Sequence, residues 1–170
     1  MSNINSETVA DYKAKATPEH VTFKGTEDQL IATAAEILKR RLYRQSDALR
    51  SPDITRQFLQ MEIASLDYEV FGFLCLDNQH RVISVVHAFK GTIDGAAVYP
   101  REVAREVLQH NAAAVIYFHN HPSGNPEPSQ ADINLTKRLK EALALLDVRS
   151  LDHIIVSGGS YTSLAERGLI

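Results

Sequence analysis

Two histidines and an aspartate carry the most chemical promise in this chain. His119 and His121 are two residues apart, and Asp132 follows eleven residues later. On a strand, side chains at i and i+2 leave the same face. The run Ala112-Ala-Ala-Val-Ile-Tyr-Phe118 reads as a buried strand that begins after Asn111 and ends at a Pro/Gly loop. His119 and His121 are then expected side by side at the strand's end. A catalytic zinc ion takes about three protein ligands and leaves one position to water. His119, His121 and Asp132 would supply the three.

Positioning the third ligand is the task of the loop and helix that follow. Pro122-Ser-Gly-Asn-Pro-Glu-Pro128 holds three prolines that limit φ and a glycine that permits a sharp turn. Leu135, Leu139, Ala142, Leu143 and Leu146 then recur as one apolar helical stripe. Ser129 stands at the expected N-cap, with Asp132 in the first turn. Ser-x-x-Asp is also the signature of a capping box, so the pair reads either as a helix cap or as part of a metal site. The roles are compatible, because a helix N-terminus favours the ionised carboxylate that a ligand must be.

The spacing His-x-His-Pro, six residues, Ser-x-x-Asp resembles the JAMM motif of JAB/MPN-type metalloproteases. The run from His119 to Asp132 is similar to bacterial RadC proteins in particular, as are Tyr99-Pro-Arg-Glu-Val103 and Leu151-Asp-His-Ile-Ile-Val156. The likeness covers about residues 50 to 170. It implies a JAB/MPN-like single α/β domain with a mixed sheet flanked by helices, layered as in cytidine deaminases. It also implies one zinc ion on His119, His121 and Asp132. Ser129 would hydrogen-bond near the bound water and help stabilise the oxyanion, and a glutamate on an early strand would act as general base. Asn120 stands where many JAB/MPN proteases carry Ser or Thr, as it does in RadC-like proteins. The implied substrate is therefore a peptide or protein amide, with isopeptide specificity left open.

Glu69 is the residue to which that glutamate maps. It opens the apolar run Val70-Phe-Gly-Phe-Leu-Cys-Leu76 and would share a face with Phe71, Phe73 and Cys75. A carboxylate so placed suits proton transfer. Glu62 reads as helical and Asp67 as part of a turn, which makes both weaker candidates.

Composition narrows the alternatives. Of 170 residues, 44% are hydrophobic, enough for a real core. The single cysteine, Cys75, permits no disulfide within the chain, which suits a reducing cytoplasm. It also excludes a zinc deaminase built on Cys-x-x-Cys. The N-terminal residues are polar, and no apolar stretch is long enough to cross a membrane. A net charge of -3 makes no global case for nucleic acid. Locally, six basic residues (Lys39, Arg40, Arg41, Arg44, Arg50, Arg56) outnumber three acids between 36 and 56. They read as the wet face of a helix, or, as a rival reading, as part of a DNA-repair-associated DNA- or protein-binding module with a structural metal site. RadC proteins often carry an upstream helix-hairpin-helix, whose Gly-containing hairpin has no counterpart before residue 67. The literal letters His-Asn-His do not make an HNH nuclease, whose residues spread through a ββα element.

The remaining pattern predicts the scaffold. Residues 1–25 read as a mobile tail with a short extended piece at Val21–Phe23. Residues 26–66 read as an N-terminal helical arm: one helix capped by Thr26-Glu-Asp-Gln29, a second opening at Ser51-Pro52. Residues 67–170 form the expected JAB/MPN-like catalytic domain. Strands at 68–76 and 81–89 make a hairpin, and 90–96 is a loop. Pro100 opens a helix that Asn111 stops. Ser157-Gly-Gly-Ser160 turns between two last strands. His153 and His87 read as structural, His153 with an option of supporting a ligand.

Overall fold

The computed structural model describes residues 12–16, 19–44, 52–91 and 98–170. Two strands, β1 (Tyr12–Ala16) and β2 (Glu19–Phe23), pair antiparallel with Tyr12 opposite Phe23. They precede α1 (Glu27–Arg44), α2 (Pro52–Ile63), β3 (Val70–Leu76), β4 (Val82–Lys90), α3 (Pro100–Gln109), β5 (Ala114–Asn120), α4 (Gln130–Ala144), β6 (Arg149–Ser157) and β7 (Ser160–Ser163). Within the segment read as a mobile tail, the extended piece expected at 21–23 belongs to a two-stranded ladder of residues 12–16 and 19–23. Aromatic and β-branched residues, from Tyr12 to Val21, Thr22 and Phe23, favour that pairing. Residues 1–11, Arg50, Ser51 and most of the expected 90–96 loop lie outside the described residues.

The main sheet has the order β4-β3-β5-β6-β7. Only β5 and β6 are parallel, and α4 provides the crossover between them. The other pairs are antiparallel, so the sheet is mixed and the fold α/β. Its two central strands, β3 and β5, are buried at every residue, because helices cover both faces. Alternate residues serve alternate layers. Leu74, Leu76, Ala114, Ile116, Phe118, Ile154 and Val156 pack with Leu38, Leu42, Phe58, Leu59 and Ile63 of α1 and α2. Phe71, Phe73, Cys75, Val115 and Tyr117 pack with Val103 and Val107 of α3 and Leu139 and Leu143 of α4. The helical segment expected as an arm therefore shares one hydrophobic cluster with the sheet.

Local signals account for most helix ends. Thr26 accepts from Gln29 N at 3.3 Å and its own N–H donates to Gln29 Oε1 at 3.0 Å, a reciprocal cap. Asn111 adopts φ 49°, the left-handed stop after α3. In the α4 stripe Leu139 and Leu143 are buried, whereas Leu146 lies past the helix end and is 38% exposed.

Gly72 sits directly opposite Phe118 in the β3–β5 ladder. A Cβ there would lie 2.4 Å from Phe118 Cζ and 2.4 Å from the Val86 carbonyl oxygen. One of those neighbours is backbone and cannot swing away. Gly72→Ala is expected to cost about 1–3 kcal/mol, read as a lowered urea midpoint at unchanged slope.

Candidate metal centre

The alternation that builds the core also places the first candidate ligand. Residues 115, 117 and 119 of β5 face α3 and α4, so His119 emerges on the side where α4 begins. His119 is fully buried. The strand ends one residue later, but the backbone stays tied to the sheet: His121 N–H donates to the Val156 carbonyl at 2.8 Å, and Ser157 Oγ donates to the His121 carbonyl at 2.7 Å. His121 thereby keeps the same-face relation expected from the spacing. The two Nε2 atoms lie 2.8 Å apart.

The loop returns the chain to this point. Gly124 takes φ 88°, and Glu127 forms a two-pronged ion pair with Arg167 at 2.6 and 2.7 Å that ties the loop to the C-terminal turn. Ser129 then caps α4. Its hydroxyl accepts from Asp132 N at 3.1 Å while Asp132 Oδ2 accepts from Ser129 N at 2.7 Å, a complete capping box. The Ser129 hydroxyl proton also goes to Asp132 Oδ2, at 2.7 Å. The helix-cap reading is therefore realised, and it leaves the carboxylate in place for the metal reading. The carboxylate that caps the helix also faces the histidines, with Oδ1 3.3 Å from His119 Nε2 and Oδ2 3.6 Å from His121 Nε2.

These three side chains converge tightly enough for one ion: their ligand atoms all lie within 4.8 Å of one another. Among the described residues, this is the one group of His, Cys, Asp or Glu side chains arranged to hold a metal. Zinc bonds to histidine nitrogen and carboxylate oxygen run about 2.0–2.2 Å, so the donor set and its spacing fit that ion with little movement.

The electrostatics agree. Burial lowers the His119 imidazole to about 4, against an opposing pull from Asp132 and with a smaller push from His121. His119 is thus neutral at pH 7, as a ligand must be. Hydrogen bonding to Asp132 raises His121 despite its partial burial. Burial alone would raise the Asp132 carboxyl, but His121, His119 and Ser129 together hold it well below the usual range. An ionised carboxylate beside two imidazoles invites a cation, and a proton on His121 is the one available without metal.

Glu69 immediately precedes β3. Phe71 pairs with His119, so the antiparallel register carried two residues further brings Glu69 opposite His121. Its charge contributes to raising His121. Sequence reasoning passed over what holds it there. Asn120, buried between the two histidines, accepts from Val70 N at 2.7 Å and donates to the Tyr68 carbonyl at 3.0 Å. One side-chain amide therefore clamps the backbone on both sides of Glu69. Cross-strand partners fifty residues away leave no local signature; the only available clue was a polar residue at the end of a buried strand. Glu62 and His87 face each other at 3.5 Å, away from this cluster.

Lys39, Arg40, Arg41 and Arg56 are placed elsewhere, while Arg50 and the Arg44 side chain lie outside the described residues. Lys39, Arg40 and Arg41 are exposed on α1, which covers the opposite face of the sheet from His119. Arg56 is occupied by Asp53 and Glu166 and lies 4.5 Å over the Tyr161 ring.

A family model described as "RadC-like JAB domain" matches residues 49–169. The chain belongs to the RadC-like JAB domain family. Among curated proteins it is similar to a UPF0758 protein of Marinobacter nauticus, 62% identical over 127 residues, which are 75% of this chain and 57% of that protein. A UPF0758 protein of Vibrio cholerae is 54% identical over 142 residues, covering 84% of this chain and 89% of the relative. One from Shewanella baltica is 52% identical over 143 residues, 82% of this chain and 64% of its own length. The chain thus spans a little over half the length of the Marinobacter relative and most of the Vibrio one. The mixed sheet and its helices are those of a JAB/MPN-like domain. No described helix of this RadC-like domain is long and apolar enough to cross a membrane.

Proposed function

We propose that this RadC-like domain is a zinc-dependent hydrolase of peptide or protein amide bonds, of the JAMM metallopeptidase type. The convergence of His119, His121 and Asp132 beside Glu69 carries this reading. His119 and His121 would hold one zinc ion through Nε2 and Asp132 through a carboxylate oxygen. Zinc with three protein ligands supplies an attacking water whose pKa falls to about 7. Glu69 is the residue that would take a proton from the attacking water and give it to the leaving nitrogen. The Ser129 hydroxyl, one hydrogen bond from Asp132, turns toward the carbonyl oxygen as negative charge builds there. Asn120 keeps the Glu69 backbone still during both transfers. His121 donates Nδ1–H to the Asn125 carbonyl at 2.9 Å, which leaves its Nε2 lone pair directed at the cluster. A lone buried thiol, Cys75, supports a cytoplasmic setting.

The test pairs metal analysis of purified protein with cleavage of a peptide library. The expected result is one zinc per chain and zinc-dependent cleavage that a chelator abolishes. Ser129→Ala separates binding from chemistry: it should retain zinc, lose about 1 kcal/mol of helix capping and lower kcat by about 10²–10³-fold. Absence of bound zinc at micromolar concentrations, or cleavage indifferent to chelation, overturns the proposal.

A further inference from the structure

A chain of three hydrogen bonds runs from the back of His119. His119 Nδ1 meets His153 Nε2 at 2.8 Å, His153 Nδ1 meets Thr136 Oγ1 at 2.5 Å, and Thr136 Oγ1 meets the Asp132 carbonyl oxygen at 2.6 Å. All four residues are buried, and the chain begins and ends on two of the three residues that converge at the site.

We infer that Thr136 and His153 are positioning residues that fix the tautomer of His119, so that its Nε2 lone pair faces Asp132 and His121 before any ion arrives. The purpose assigned to this device rests on the proposed metal site; its direction follows from the burial of His153 and from donor and acceptor counting. A carbonyl oxygen can only accept, so the Thr136 hydroxyl proton points to Asp132, the usual back-bond of a helical threonine to the residue four before it. Thr136 Oγ1 must then accept from His153, which places the proton of that ring on Nδ1. His153 is fully buried and its two ring nitrogens meet a hydroxyl and another imidazole rather than a carboxylate, so the ring carries a single proton and Nε2 is an acceptor. His119 Nδ1 must therefore donate, leaving Nε2 bare. The reversed chain would set Thr136 Oγ1 and the Asp132 oxygen 2.6 Å apart with no proton between them.

Packing holds the relay in place. His153 pairs with Tyr117 across the parallel β5–β6 ladder and is met edge-on by the rings of Phe71 at 5.7 Å and Tyr117 at 5.8 Å. Thr136 lies one helical turn after Asp132, so the same first turn of α4 presents the carboxylate forward and anchors the relay behind. Partners behind a ligating imidazole set its orientation and basicity, and losing them typically costs 10–100-fold in metal affinity.

The experiment is ring ¹⁵N–¹H correlation spectroscopy of zinc-free protein at pH 8, with zinc affinity measured separately by chelator competition. His119 and His153 should both carry their proton on Nδ1. His153→Gln, whose amide can accept from His119 and donate to Thr136, should keep the His119 tautomer and bind zinc close to wild type. His153→Phe should leave His119 as a mixture of tautomers and weaken zinc about 10–100-fold. Should that variant fail to fold, the wild-type spectrum and Thr136→Val, expected to return His153 to a mixture, still decide. A proton on Nε2 of His119 in wild type overturns the inference, as does undiminished zinc affinity in folded His153→Phe. Wild type that shows the Nδ1–H tautomers yet binds no zinc overturns the metal reading and leaves the relay standing.

Discussion

Asp132→Asn is expected to abolish zinc binding at the proposed site and to leave the domain folded. Asp132 serves two masters: Oδ2 accepts from Ser129 N at 2.7 Å to cap α4, while Oδ1 and Oδ2 face the two Nε2 atoms at 3.3 and 3.6 Å. Asparagine retains an oxygen for the cap, and its NH₂ group can donate toward the lone pair of His119. The zinc-free variant therefore satisfies every group that zinc-free wild type satisfies, without needing a proton on His121. Its stability is expected within about 1 kcal/mol of zinc-free wild type. Zinc is another matter, because a neutral amide would replace the one anionic ligand of the proposed set. At a zinc concentration about 1,000 times Kd, wild type should gain about 4 kcal/mol of stability by mass action. An affinity at least about 100-fold weaker cuts that gain to about 1–2 kcal/mol. Urea unfolding of both proteins with and without zinc reads all four values. Equal zinc stabilisation in the two would remove Asp132 from the ligand set, whereas a zinc-free variant that does not fold would mean that the ionised cap, rather than the metal, is what Asp132 supplies.

The ease with which these three residues could be read from sequence has a physical basis. A strand repeats every second residue, so His119 and His121 share a face whatever surrounds them. A helix start announces itself locally, so Ser129 and Asp132 are placed by a loop of fixed stiffness and a cap of fixed geometry. Glu69 is different. Nothing within ten residues of it shows that β3 will lie beside β5, and its assignment depended on resemblance to a family. Its clamp, Asn120, and the His153–Thr136 relay act through partners 50, 34 and 17 residues away. Such contacts exist only once the sheet order is set, and hydrophobic periodicity does not encode sheet order. The same holds for Gly72, whose missing Cβ matters because Phe118 crosses above it. Amphipathic patterning located α1 and α2 but left open which surface they cover. The burial of Leu42, Phe58 and Leu59 against the sheet supplies that answer.

Glu69→Gln should retain zinc and lose turnover, with kcat lower by about 10²–10⁴-fold. Gln matches Glu in shape, so the β3 entry stays in place: Asn120 holds the backbone at residues 68 and 70, and the Glu69 carbonyl accepts from Gly91 N at 2.9 Å. What disappears is a group able to take a proton from water and give it to a departing amine. Substrate binding does not require that transfer, so KM should change little and zinc content not at all. The charge of Glu69 is also one of the influences raising His121, so zinc-free Glu69→Gln should release its His121 proton at a lower pH than zinc-free wild type. That shift, measured by NMR without substrate, confirms that the side chain at 69 faces the cluster even before an amide substrate is in hand. A variant with the shift but with full turnover would place the base elsewhere. A variant with neither would mean that residue 69 does not face His121, and the proposed proton path would lose its first step.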